Sequence, residues 1–190
     1  MSKNVILKWT DFNRYLLKSY IKKGDTVVDA TMGNGHDTLM LAELVGKEGR
    51  VYAFDIQSEA LGNTRELLTE HFEDSPPIHL IEDSHAKMDK YIQGSVDAVV
   101  FNLGYLPRGD HDITTKAVDT IHGIDLSLER LREGGILSMV LYSGHAAGAI
   151  EKEKIISYVR GLDNKKYHCI LSESINQKNS PPSWILITKR

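Results

Sequence analysis

Five short runs rich in Val, Ile and Leu punctuate the chain: TVVDA (26–30), RVYAFD (50–55), IHLIE (78–82), VDAVVFNL (96–103) and GILSMVLY (135–142). Each is bounded by Gly, Asp or Pro, the usual punctuation of strands. Between them lie segments of helical length at 36–46, 57–73, 85–93, 114–132 and 149–161. In LGNTRELLTEHF, helical spacing gathers Leu61, Leu67, Leu68 and Phe72 on one face. Strand and helix in alternation predict an α/β fold, a parallel sheet with helices on both faces. The end of the chain breaks the alternation. KYHCILSESI and SWILITKR are strand-like and are joined by NQKNSPPS with no helix between them. They predict a terminal antiparallel hairpin, making a mostly parallel sheet of seven strands.

The 190 residues suit one domain spanning 1–190, with an amphipathic helical segment at 1–24 packed on it. The apolar run in MSKNVILKWTDFNRY is too short for a signal peptide, and no stretch approaches a membrane span. The single cysteine, Cys169, has no intramolecular disulfide partner, so a reducing, cytoplasmic setting is expected. A formal net charge of −3 and a pI near 6.2 exclude a strongly basic field over the whole protein. A local basic face is still present. Lys3, Lys8, Arg14, Lys18, Lys22 and Lys23 interleave with Trp9, Phe12, Tyr15 and Tyr20, and Asp11 is the one acid among them. Two readings stay open for this segment: contact with phosphates, or a helix docked on the sheet with a solvated outer face.

Parallel sheets bind ligands at the carboxyl ends of their strands. That rule selects Asp29–Asp37, Asp55–Gln57, Asp83–His85, Asn102–Asp112 and Tyr142–His145, with loop 176–183 at the same edge. The first of these carries VVDATMGNGHDT, a Gly-x-Gly pattern after a strand. Gly33 and Gly35 let the backbone approach a ligand closely. A dinucleotide fingerprint would have a third small residue where Thr38 stands, and Asp37 would repel a pyrophosphate. Asp29 and Asp37 instead favour a ligand with cationic groups, which fits S-adenosylmethionine with its sulfonium and ammonium. Asp55 is placed to accept ribose hydroxyls, a role shared by both ligand classes. Asp83 or Ser84 is placed for the adenine amino group and His85 for its ring, although Asp83 and Ser84 also suit the cap of a helix over 85–93.

DATMGNG resembles the first motif of class I S-adenosylmethionine-dependent methyltransferases, a Rossmann-like fold. Together with FNLGYLPRGDH, the Thr114–Thr115 pair and YSGH at 142–145, it resembles the small bacterial "rRNA methylase" family. The resemblance implies a tRNA methyltransferase that methylates the amine of 5-aminomethyl-2-thiouridine at the wobble position. It implies cofactor contacts at Asp29, Gly33, Asn34, Gly35, Asp37, Thr38, Asp55, Gln57, Ser84, His85, Asn102 and Gly104. Arg108 replaces a glycine usual in that family, which stiffens the loop and adds a charge.

Methyl transfer from a sulfonium requires the acceptor to be held in line with its lone pair free. An alkylamine is mostly protonated at neutral pH, so some group must favour the neutral form or take a proton. Asn102 and Tyr105 have the spacing of the Asn-Pro-Pro-Tyr loop of amino-group methyltransferases. Asn102 suits the amine N–H groups and Tyr105 the uracil ring. His145 is the candidate proton acceptor, with His111, Asp110 and Asp112 as weaker candidates. Their spacing matches no standard metal set. The anticodon loop of tRNA is the expected partner, with Arg108, Lys178 and Pro181–Trp184 at the substrate edge; a homodimer is left open. The competing readings are an rRNA or small-molecule methyltransferase of the same fold, a nicotinamide-dependent oxidoreductase and a non-catalytic subunit.

Overall fold

The buried strands alternate their side chains between two apolar layers, and this alternation builds the molecule. The computed structural model describes residues 8–73, 77–103, 117–143, 146–178 and 181–190. The elements run α1 (Trp9–Tyr20), β1 (Thr26–Asp29), α2 (His36–Val45), β2 (Arg50–Asp55), α3 (Ser58–His71), β3 (Ile78–Glu82), a 3-10 helix (His85–Lys90), β4 (Val96–Leu103), α4 (Ala117–Arg130), β5 (Leu131–Leu141), α5 (Ala146–Arg160), β6 (Tyr167–Glu173) and β7 (Ser183–Lys189). One sheet holds all seven strands in the order β3-β2-β1-β4-β5-β7-β6. β1 to β5 are parallel, and β7 runs antiparallel to both β5 and β6.

Val28, Phe54, Val99, Phe101, Leu137 and Met139 point to one layer, where they meet Met88 of the 3-10 helix, Ile124 and Leu128 of α4, and Ile155 of α5. Val27, Val51, Ala98, Val100 and Ile136 point to the other, against Leu17 of α1 and Met40, Leu41 and Val45 of α2. Neighbouring residues of β1 and β4 thus serve opposite layers, as a doubly covered strand requires.

Two elements depart from the sequence reading. β5 begins at Leu131, not at residue 135, because Leu131 pairs with Val96 across a register shift. Gly134, at φ +72, supplies the irregularity that looked like a strand start. The segment read as a helix over 85–93 is a six-residue 3-10 turn with a non-helical Lys87. The hairpin falls where it was read. Leu141 pairs with Ser183, and Pro181 lies beside Ser143, so its loop adjoins the end of β5.

The helix read at the amino end docks on β5 and β7, and its exposed basic side chains remain on the other face. Asn13 and Leu17 are buried, while Lys8, Lys18, Lys22 and Lys23 are exposed. Trp9 stacks on Trp184 with ring centroids 6.3 Å apart, and Phe12 meets Trp184 edge-on at 4.9 Å. Beneath them, Ser138 donates to Asn13 Oδ1 (2.5 Å), and the Trp184 indole N–H donates to Ser138 Oγ (2.9 Å). Among the described residues no helix is long and apolar enough to cross a membrane.

Candidate active site

The chain reverses its direction of sheet building between β1 and β4, which are neighbours though β2 and β3 intervene in sequence. Such a switch point opens a crevice at the strands' carboxyl ends. The loop after β1 leaves toward β2, with the Met32 N–H donating to Phe54 O (2.9 Å). Gly33 donates its N–H to Asp55 Oδ2 (2.9 Å) and accepts the Thr64 hydroxyl (3.1 Å). Gly35 takes the left-handed conformation at φ +80, and an added Cβ would lie 2.9 Å from the Thr64 backbone. Only glycine fits that combination. Asn34 Oδ1 accepts from Asn63 of α3 (3.0 Å). The second carboxylate oxygen of Asp55 accepts the Gln57 N–H (3.0 Å). Asp55 is only half-buried, and its two oxygens have lone pairs beyond these two donors.

Two acids read as ligand contacts do other work. Asp29 is 1% exposed; Oδ1 accepts the Thr31 N–H (3.1 Å) and Oδ2 the Thr38 hydroxyl (2.7 Å). Burial, followed by the nearby charge of Asp37, pushes its carboxyl up to about 7. Asp29 and the fully buried Thr38 therefore brace the loop from beneath. Asp37 is engaged from both sides: its Oδ1 accepts Arg14 Nε of α1 (2.8 Å), and its Oδ2 accepts Asn102 Nδ2 (3.3 Å). The attraction of a cation by these two carboxylates is corrected accordingly, since one is sealed and the other is paired with Arg14.

The third-strand residues are also redirected. Asp83 accepts Lys87 Nζ (2.6 Å) and the Tyr91 hydroxyl (3.0 Å), and Lys87 is the main cause that lowers its pKa. The Ser84 hydroxyl accepts the Ala86 N–H and caps the 3-10 turn. His85 is no platform for an adenine ring. It is 7% exposed, its Nδ1 lies 3.0 Å from Ala30 O, and its ring meets Phe101 edge-on at 5.3 Å. Burial lowers its pKa, so the imidazole is neutral and Nδ1–H donates to Ala30 O.

Asn102, near the end of β4, is fixed by its backbone N–H donating to the Thr31 hydroxyl (2.7 Å). Its Oδ1 is buried with no hydrogen-bond partner among the described residues. Gly104, Tyr105, Arg108, Asp110, His111, Asp112, Thr114, Thr115 and His145 lie outside the described residues. Three positions were not singled out for this site. Arg14 was counted among phosphate contacts, and no local pattern announces a partner 23 residues away. Thr31 sits inside the glycine motif and ties Asp29 to Asn102. Ile56 is 56% exposed directly beside Asp55, an apolar surface at the crevice edge.

The model of the family described as "Putative rRNA methylase" matches residues 51–188. The chain belongs to that family. It is therefore a methyltransferase, and the solved relatives of the family share its fold. A "putative rRNA-methylase" from Clostridium thermocellum is 45% identical with a TM-score of 0.94, over 98% of this chain and 100% of that one. A "putative methyltransferase" from Streptococcus mutans, solved in complex with SAH, is 35% identical with a TM-score of 0.88, over 98% of this chain and 100% of the other. A chloroplastic tRNA (mnm(5)s(2)U34)-methyltransferase of Arabidopsis thaliana is 34% identical over 183 residues, which span 92% of this chain and 67% of the plant protein.

Proposed function

We propose that this methyltransferase uses S-adenosylmethionine to methylate the amine of 5-aminomethyl-2-thiouridine at the wobble position of tRNA. The likeness to the Arabidopsis tRNA methyltransferase over nearly the whole chain carries the reading. The site fits the cofactor on its own terms. Gly33, at φ +52, turns the backbone at the crevice, Gly35 lets the loop close on Thr64, Asp55 keeps lone pairs for ribose hydroxyls, and Ile56 offers an apolar surface for adenine. When bound, S-adenosylmethionine supplies a methyl carbon already activated by its sulfonium.

The protein's residues handle the acceptor. Asn102 Oδ1, a buried acceptor without a partner among the described residues, takes an amine N–H and aims the lone pair. Leaving that oxygen unmatched costs about 1–3 kcal/mol, so a donor is favoured there. Tyr105 packs on the uracil ring and His145 accepts the proton released after transfer. The exposed Lys18 of α1, with Lys8 before it and Lys22 and Lys23 after it, offers phosphate contacts to the tRNA body.

The test incubates purified protein and S-adenosylmethionine with tRNA carrying the aminomethyl group and with tRNA lacking it, followed by nucleoside mass spectrometry. A methyl gained only on the first supports the reading. A protein that binds S-adenosylhomocysteine yet leaves both unchanged refutes it.

A further inference from the structure

Arg14, Asp37 and Asn102 form a line from the amino-terminal helix to the acceptor side of the crevice. Arg14 Nε donates to one oxygen of Asp37 and Asn102 Nδ2 to the other. An ionised carboxylate only accepts hydrogen bonds. The amino half of the Asn102 carboxamide must therefore face Asp37, which leaves Oδ1 as the half without a partner among the described residues. The carboxylate also carries a charge that would favour the protonated, non-nucleophilic form of a nearby amine. The guanidinium stands against that charge. Among the described residues, Asp29 and Tyr142 lie within the field of Asp37, Asp55 adds its charge at Asp29, and Asp11 and Arg14 add theirs at Tyr142. Among these named groups, Arg14 is the cation.

We propose that Arg14 is a positioning residue for the acceptor amine: through Asp37 it sets the Asn102 carboxamide with Oδ1 toward the substrate and cancels the carboxylate's charge there. The inference rests on the amine-methylation reading above, and it gives an arginine outside the glycine motif a role in chemistry.

The test uses wild type, Arg14→Ala, Arg14→Lys, Asn102→Ala and the Arg14→Ala/Asn102→Ala double variant, with single-turnover methylation of aminomethyl tRNA followed against pH. Arg14→Ala should slow transfer about tenfold at neutral pH. It should shift the rising limb of the pH profile upward, because an uncancelled carboxylate keeps the amine protonated. Affinity for S-adenosylhomocysteine should change less than about twofold, and Arg14→Lys should recover most of the rate. On the high-pH plateau, where the amine is neutral and only the setting of the carboxamide counts, removing Arg14 in the Asn102→Ala background should cost under about twofold more. Full multiplication of the two losses on that plateau overturns the inference. So does a loss confined to the KM for tRNA with an unmoved pH profile, the signature of a phosphate contact. Should wild type fail on this tRNA, the amine reading falls by itself. The Asn102 carboxamide protons then decide the Arg14 link by NMR: their exchange protection should drop in Arg14→Ala, and unchanged protection refutes it.

Discussion

A carboxyl group sealed beneath its own loop ties stability to pH. The folded value for Asp29, about 7, lies above the ordinary value of about 4 for a free aspartate. The folded chain thus holds its proton more tightly than the unfolded one. The contribution of Asp29 to stability is full below about pH 4 and is lost as pH rises through about 7. Asn at this site can keep both contacts, accepting from Thr31 and donating to the Thr38 hydroxyl. Asp29→Asn should be more stable than wild type at pH 8 by about 1–3 kcal/mol, with no difference near pH 4. Urea unfolding at both pH values measures this, and parallel pH curves would contradict it. Gly35→Ala meets both a left-handed backbone and the Thr64 main chain. It should weaken S-adenosylhomocysteine binding at least about tenfold by calorimetry, given strain of about 1–3 kcal/mol in the loop; unchanged affinity would refute the constraint. At this scale the sequence was half legible. Glycines and a strand-end acid announce a close ligand, but nothing local says that Asp29 faces inward or that Asp37 meets an arginine of another helix.

Helix α4 meets the 3-10 turn closely at Gly123, beside the contacts of Met88 with Ile124 and Leu128. A Cβ on Gly123 would sit 2.6 Å from Cδ2 of His85, whose ring is pinned by Ala30 O and Phe101. Gly62 lies in α3 and has nothing within 4 Å of such a Cβ. The same substitution should therefore act in opposite directions. Gly62→Ala should stabilise by about 0.5–1 kcal/mol through helix propensity. Gly123→Ala should destabilise by about 1–3 kcal/mol through overpacking. Thermal unfolding of the pair checks this, and two shifts of the same sign would refute it. β2, β3 and β4 match the runs read from sequence at both ends, because apolar strands bounded by polar turns carry their own limits. The stretch 85–93 does not. Its apolar spacing suits a helix, but His85 turns inward to a distant carbonyl, a demand invisible from the stretch itself.

The whole molecule is fastened between residues far apart in sequence. Asn13 and Trp184, 171 positions apart, share a buried hydrogen-bond network with Ser138. Asn13→Ala would strand the Ser138 hydroxyl and half-satisfy the indole, at about 1–3 kcal/mol. Reduced unfolding midpoints and a changed tryptophan emission are the expected signs; an unaltered midpoint would show that the network adds nothing. The alternation of strands and helices made the sheet legible from sequence, as did the terminal hairpin, whereas the seat of α1 was not, since both of its readings fit the same amphipathic pattern. β7 enters the sheet between β5 and β6, and α1 rests on β5 and β7 together. Without Trp184, Trp9 and Phe12 would lose their shared ring partner, and the helix that carries Arg14 would keep only the β5 half of its seat. An aromatic clasp at the antiparallel end of the sheet thereby acts as a distant brace for the crevice: what is fastened at β7 is felt at Asp37.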